Sequence, residues 1–337
     1  MSKLFTERIP YKPFEYPEYY NEGWLKQMQV FWLHTEIPMS GDVKDWKENL
    51  TKEEKHLVGN ILLGFAQTEC AVSDYWTGMV TKWFPKHEIR QMAMAFGSQE
   101  TIHSVAYSYL NETLGLDDFA GFMHDEVMKE RFELLTNTTA DWTPKDLDTN
   151  HKARVEVARS LAIFSAFAEG VALYSSFAVL YSFQMRNLLK GIGQQMKWSV
   201  RDESLHSKMG VQLFRHMCEE FPELLEEAKA DIYKAAEIIR DLEHKFIDKI
   251  FEMGDLENLK KDDLKEFITK RVNEKLAELG YIPVKGGDDY FEYDETKASE
   301  LDWFYNLTGG HTLTDFFAMR PTDYSKANEG ENWDDLF

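Results

Sequence analysis

Apolar residues recur at three- and four-residue steps along most of the chain, while glycine and proline are sparse through its middle. That period marks helices that bury one face or more. It predicts a short helix near 22–33, long helices near 51–83, 86–114, 151–183 and 185–216, and further helices near 221–254 and 261–279. Thr51, followed three residues later by Glu54, has the form of a capping box at the start of the first long helix. Gly286-Gly287 interrupts the stretch from Tyr281 to Tyr293, where an irregular loop or a small hairpin is expected. From about Thr322 the chain turns to Asp, Glu, Asn, Gly and Ser, which bury too little apolar area to stay folded alone. The expected organisation is one all-α domain over 1–321, with its core bundle at about 51–216, and a flexible tail over 322–337.

Two apolar stripes carry ionisable residues at their centres. One runs Ile89, Ala93, Phe96, Glu100, His103, Tyr107, Leu110, Leu114; the other runs Ile192, Met196, Ser199, Glu203, His206, Gly210, Leu213. Each presents Glu-x-x-His on its inward face. Two further helices each add one inward glutamate. Glu69 lies among Leu62, Phe65, Val72 and Trp76, and Glu169 among Ala162, Ser165, Ala172 and Ser176.

Four carboxylates cannot remain ionised in an apolar core without compensation. Two divalent metals would balance four glutamates, and two neutral imidazoles would complete the ligand set without altering the charge. The i, i+3 step places Glu and His on one helical face, within reach of one metal. One Glu from each of two helices and Glu-x-x-His from each of two others is the ligand pattern of ferritin-like dimetal carboxylate bundles. The spacing also repeats, since Glu69 to Glu100 spans 31 residues (100 − 69) and Glu169 to Glu203 spans 34 (203 − 169), as in two helical hairpins. A lone Glu-x-x-His is weak evidence. Glu53, Glu54, Lys55 and His56 meet the spacing in a charged helix start, where a solvated face is the simpler reading.

Composition narrows the partners. With 59 acidic and 38 basic residues, the formal charge of −21 disfavours nucleic acid and anionic membrane surfaces. No stretch has the length and apolarity of a membrane span or the layout of a signal peptide, so a cytoplasmic location is expected. Cys70 and Cys218 have no metal or redox spacing and read as reduced thiols.

The segments FGSQETIHSVAYSYL (96–110), FAEGVALY (167–174) and SVRDESLH (199–206) resemble the radical-generating small (β) subunit of class I ribonucleotide reductase. The likeness extends from about Phe31 to the C-terminus. It implies a homodimer that activates oxygen, or a reduced form of it, at its dimetal site. The oxidising equivalent would pass to a cysteine of a separate large subunit, which makes deoxyribonucleotides from ribonucleoside diphosphates. By the same resemblance Tyr107 occupies the place of the tyrosyl radical, and Asp202 bonds the ligand His103 and Trp32. Tyr324, in DFFAMRPTDYSKA (315–327), relays the radical across the subunit interface, and Trp333 to Phe337 anchor the tail to the large subunit. Read without the resemblance, Tyr107 and Trp32 are as well explained as core residues and the tail as a generic terminus. Leu173 and Phe177 would wall the site against water.

Glu69 departs from the commonest pattern, which has aspartate as first ligand. Glutamate there resembles a manganese/iron subclass with phenylalanine in place of the tyrosine, and a dimanganese subclass that retains it. Tyr107 favours dimanganese, with diiron and manganese/iron as alternatives, because carboxylate and imidazole sets suit both metals. Two other functions share the six ligands: a ferritin-like oxidase without a partner, and a metal-binding or storage protein. Trp32, Asp202, Tyr324 and the tail matter only to a protein that exports an oxidant.

Overall fold

A computed structural model describes residues 2–116, 126, 127, 129, 130 and 141–307, apart from the side chains of residues 66–70. Among the described residues there are helices and no strand; Leu256 and Leu259 form a lone bridge. Helix α1 is π-wound over Tyr19–Trp24 and α-helical over Leu25–Gln29. α2 (Lys52–Asp74) continues through a π-wound stretch, Tyr75–Val80, to Thr81–Trp83. α3 (His87–Leu114) returns along it. α4 (His151–Ala162) passes into π-wound Ile163–Ala168, and α5 (Tyr174–Met185) follows after an open turn. α6 (Lys190–Glu220) lies against α4, α5 and α3. α7 (Lys229–Ile250) and α8 (Lys261–Leu279) close the bundle on the side of α4 and its π-wound extension.

Local chemistry explains several boundaries. Thr51 Oγ1 accepts from Glu54 N at 3.2 Å and Glu54 Oε2 accepts from Thr51 N at 2.9 Å, completing the expected capping box. Such a cap stabilises a helix start by about 0.5–2 kcal/mol. α3 ends where Gly115 turns left-handed at φ 76°, a conformation that costs glycine little. α6 crosses the π-wound stretch after α4 closely: a Cβ on Gly210 would collide with Ser165 Oγ.

The fold corrects the expected boundaries in four places. The helix expected over 151–183 is interrupted at 169–173, where every residue, Glu169 included, is buried and no exposed polar face betrays the break. The helix expected over 185–216 runs from Lys190 to Glu220, because Asn187 (φ 61°) and Leu189 (φ 47°) turn left-handed before it. Its start is capped from far away, by the Asp42 carboxylate accepting from Gly191 N at 3.0 Å and Ile192 N at 2.8 Å. The first helix ends at Gln29, leaving Trp32 in the chain that follows. The stretch 221–254 divides into Glu223–Glu227 and α7. Tyr281–Tyr293 is irregular. The tail expected over 322–337 lies outside the described residues, and with it Tyr324 and Trp333 to Phe337.

Candidate metal centre

Glu100 and His103 project from the middle of α3, and Glu203 and His206 from the middle of α6. Glu169 projects from the point where the π winding after α4 opens. All five are buried, at no more than 2% exposed. His103 Nδ1 lies 2.9 Å from Glu100 Oε2 and 3.0 Å from Glu203 Oε1. His206 Nδ1 lies 2.6 Å from Glu100 Oε1, 3.5 Å from Glu203 Oε2 and 3.9 Å from Glu169 Oε2. One donor atom from each of Glu100, Glu169, Glu203 and His206 falls within 4.8 Å of the others. Glu69 belongs to α2, and its side chain lies outside the described residues.

These donors suit cations. Both Glu203 oxygens, Glu100 Oε1 and His206 Nδ1 are buried without a hydrogen-bond partner among the described residues. Left to themselves, the groups must share protons. Burial and the charge of Glu203 push the Glu169 carboxyl well up, so that it holds a proton. Burial opposes ionisation of Glu203, yet the Glu169 carboxyl and the His103 and His206 imidazoles beside it hold it below the usual carboxylate range. Burial also resists charge on the imidazoles. Glu100 above all outweighs it, lifting His206 to about 9 and His103 well above its ordinary value. Divalent cations would supply the same compensation with the protons displaced, as carboxylate and imidazole ligation requires.

The groups behind the two imidazoles differ. His103 Nε2 faces Asp202 Oδ2 at 3.2 Å, and the same oxygen accepts from Trp32 Nε1 at 2.7 Å and Gln99 Nε2 at 3.0 Å. Burial works against the Asp202 charge, but Arg201, His103 and Trp32 keep its carboxyl below the usual range. His206 Nε2 faces the neutral Gln27 Oε1 at 3.1 Å. For Gln27 to accept, that nitrogen must carry a proton, so Nδ1 is the nitrogen that would ligate a cation once its own proton is displaced. Trp76 Nε1 donates to Glu169 Oε1 at 2.7 Å. Tyr107 is buried one turn beyond His103, with ring centroids 5.9 Å apart, and packs on Phe65 at 4.8 Å; Phe65 meets Phe177 at 5.2 Å. Leu173 is also buried.

The structure thus brings together Trp32, Glu100, His103, Tyr107, Glu169, Asp202, Glu203 and His206. Glu53 and His56 stay apart from this centre: His56 Nε2 pairs with the half-exposed Glu252 at 2.8 Å. Sequence reasoning missed Gln27, Gln99 and Arg201, and took Trp76 only for core. Gln99 and Arg201 had a signal, since each is a polar residue inside a buried helix, next to Glu100 and Asp202. Gln27 had none.

With this geometry in hand, comparison with known proteins decides the family. Residues 8–286 match the family described as ribonucleotide reductase, small chain. The chain belongs to that family. A probable ribonucleoside-diphosphate reductase small subunit of Invertebrate iridescent virus 3 is 33% identical over 341 residues, covering 98% of this chain and 88% of the viral protein. The ribonucleoside-diphosphate reductase subunit beta of Chlamydia pneumoniae is 26% identical, over 91% of this chain and 87% of its own. Among solved structures, dimanganese(II)-NrdF of Streptococcus sanguinis superposes with a TM-score of 0.69 at 21% identity, covering 88% of this chain and 99% of its own. A putative class I ribonucleotide reductase from Bacillus halodurans gives a TM-score of 0.69 at 23% identity, over 83% and 97%. These likenesses establish the ferritin-like helical fold of ribonucleotide reductase small chains.

Proposed function

We propose that this chain is the small subunit of a class I ribonucleoside-diphosphate reductase and that its buried Glu and His cluster holds two metal ions. The observation that carries the reading is the convergence of Glu100, His103, Glu169, Glu203 and His206 on one buried point, in a chain of the small-chain family. Glu69 is assigned as the sixth ligand. When bound, a pair of redox-active metals supplies the oxidising equivalent that the large subunit needs for making deoxyribonucleotides.

The protein's own groups give that equivalent a route. Asp202 Oδ2 accepts the Trp32 indole proton at 2.7 Å, so loss of an electron from Trp32 can be matched by a proton shift onto that carboxylate. The same oxygen faces His103 Nε2, which ties Trp32 to the ligand shell through one side chain. Leu173, Phe177 and Phe65 keep water from Tyr107. Tyr324 and the terminal Trp333 to Phe337 extend the route to the large subunit, and the active form is a homodimer in the cytoplasm. No helix among the described residues is long and apolar enough to cross a membrane.

We assign manganese to both sites. Support comes from Glu69 in place of aspartate together with a retained Tyr107, and from the fold shared with a dimanganese protein. Oxidant stored on the metals makes Tyr107 dispensable, so Tyr107→Phe should keep substantial activity; total loss would place the oxidant on the tyrosine. The decisive experiment removes residues 323–337. Reductase activity with a cognate large subunit should vanish while metal content, measured by elemental analysis, stays unchanged. Retained activity would sink the reading. Uptake of many more than two metals per chain would instead favour storage.

A further inference from the structure

The turn that carries Glu169 is held open from outside its own helix. In an unbroken helix the Gly170 carbonyl would accept the Tyr174 amide, four residues on. Here that amide donates to Val171 O at 3.1 Å, while Val171 and Ala172 both donate to Phe167 O, at 3.1 and 2.9 Å. The freed Gly170 carbonyl accepts from Arg271 Nε, which reaches it from α8. Arg271 is buried, and its guanidinium carbon lies 3.4 Å from the centroid of the Tyr174 ring. Ser204 Oγ donates to Val200 O at 2.6 Å, so Tyr174 is the donor in its 2.8 Å bond to Ser204 Oγ. Ser204 directly follows Glu203. One cation therefore grips the chain next to one metal-binding carboxylate and, through Tyr174, the turn bearing another.

The chemistry of this contact is particular to its residues. A guanidinium is planar and permanently charged, so it can donate in its plane to a carbonyl while its face stacks on an aromatic ring. The approach also needs glycine: a Cβ at Gly170 would collide with Ala166 O and come within 2.8 Å of Lys275 Cε and Ser207 Oγ. The π winding before the turn spreads each turn over about one more residue than an α-helix does, so the chain reaches Glu169 short of α-helical rotation. One residue of α-helix turns the chain by roughly 100°, so rewinding this stretch would swing Glu169 away from His206 by an angle of that order.

We propose that Arg271 is a positioning residue, holding the helix open at residues 169–173 and so fixing the direction from which Glu169 enters the metal centre. The proposal rests on the reading of Glu169 as a metal ligand. Its test uses the full-length chain, wild type and the variants Arg271→Met, Arg271→Lys and Glu169→Ala. Amide exchange over residues 163–176 is followed by mass spectrometry without metal, and manganese(II) binding by titration of the free ion. Arg271→Met should speed exchange in 169–174 selectively and weaken one of the two manganese ions by about tenfold or more. Arg271→Lys keeps the charge and a donor but loses the stack, so it should fall between. Unchanged local exchange, or local opening with both manganese affinities as in wild type, overturns the proposal. So does faster exchange spread evenly over all helices, which would mark Arg271 as merely structural. Should Arg271→Met not fold, Tyr174→Leu removes the stacking face while leaving the charge, and the same outcomes apply. If Glu169→Ala binds two manganese ions like wild type, the ligand reading itself fails, whatever the exchange data say.

Discussion

His103 and His206 occupy equivalent places in two helices, each three residues after a buried glutamate, yet their surroundings diverge one bond further out. Behind His103 stands an anion, Asp202, which also binds Trp32 and Gln99 and is charge-balanced by Arg201. Behind His206 stands the neutral amide of Gln27. The glutamates are not all alike either, for Glu100 and Glu203 sit in regular helices and Glu169 where a helix opens. A repeated ligand motif therefore builds a centre with unlike halves. The His103 half is connected outward through Asp202 to Trp32, and Gln27 Nε2 links the two halves by donating to Asp202 Oδ1 at 3.4 Å. The His206 half is set by contacts from Gln27, Trp76 and Arg271, each on another segment of the chain.

The sharpest way to break this comparison is to remove a group common to both halves. Glu100 lies within 3 Å of both imidazole Nδ1 atoms, so Glu100→Ala should cost both metals and all reductase activity. Elemental analysis showing two metals retained would contradict the reading. Next come the two groups behind the imidazoles. Asp202→Asn should weaken metal binding by about 10–100-fold and suppress radical transfer, whereas Gln27→Leu should fall at the low end of that range and spare the route through Trp32. Equal effects in a manganese titration would mean that the halves are equivalent after all. Trp32→Phe should leave metal content untouched while reductase activity collapses, a split that ordinary packing damage cannot give.

The smallest expected effect lies outside the centre and calibrates the others. Lys86 is buried and donates to Glu15 Oε2 at 2.7 Å, pinning the N-terminal segment to the start of α3. That hydrogen bond holds the Glu15 carboxyl below its ordinary pKa of 4.5. Its stabilisation is therefore complete above that value and fades as pH falls through the lower folded-state value. Glu15→Gln should cost about 1–3 kcal/mol in chemical denaturation at neutral pH, with the gap to wild type narrowing in acid. Metal content should not change.

The helical class and most of the centre were legible because both obey the local geometry of a helix. A 3.6-residue period shows itself in any window of a dozen residues. The i, i+3 step places Glu100 with His103, and Glu203 with His206, before any packing is known. The pairing of Asp202 with His103 and Trp32 came from family resemblance rather than from spacing, and the fold brings those three together. The missed features are of another kind. The break at 169–173 lies in a stretch where every position is buried, polar Ser165, Glu169 and Ser176 included, so periodicity carries no contrast between an inner and an outer face.

What the sequence determined alone is therefore the set of amphipathic helices and the identity of the donor residues on their inner faces, because both depend on neighbours three and four positions away. Tertiary structure decided the rest. Asp42 caps a helix that starts about 150 residues further on, Gln27 selects the tautomer of His206, and Arg271 takes the carbonyl of Gly170. Each of these joins a buried polar group to a partner distant in sequence. A buried polar group must find a partner somewhere, but the period of the chain does not say where.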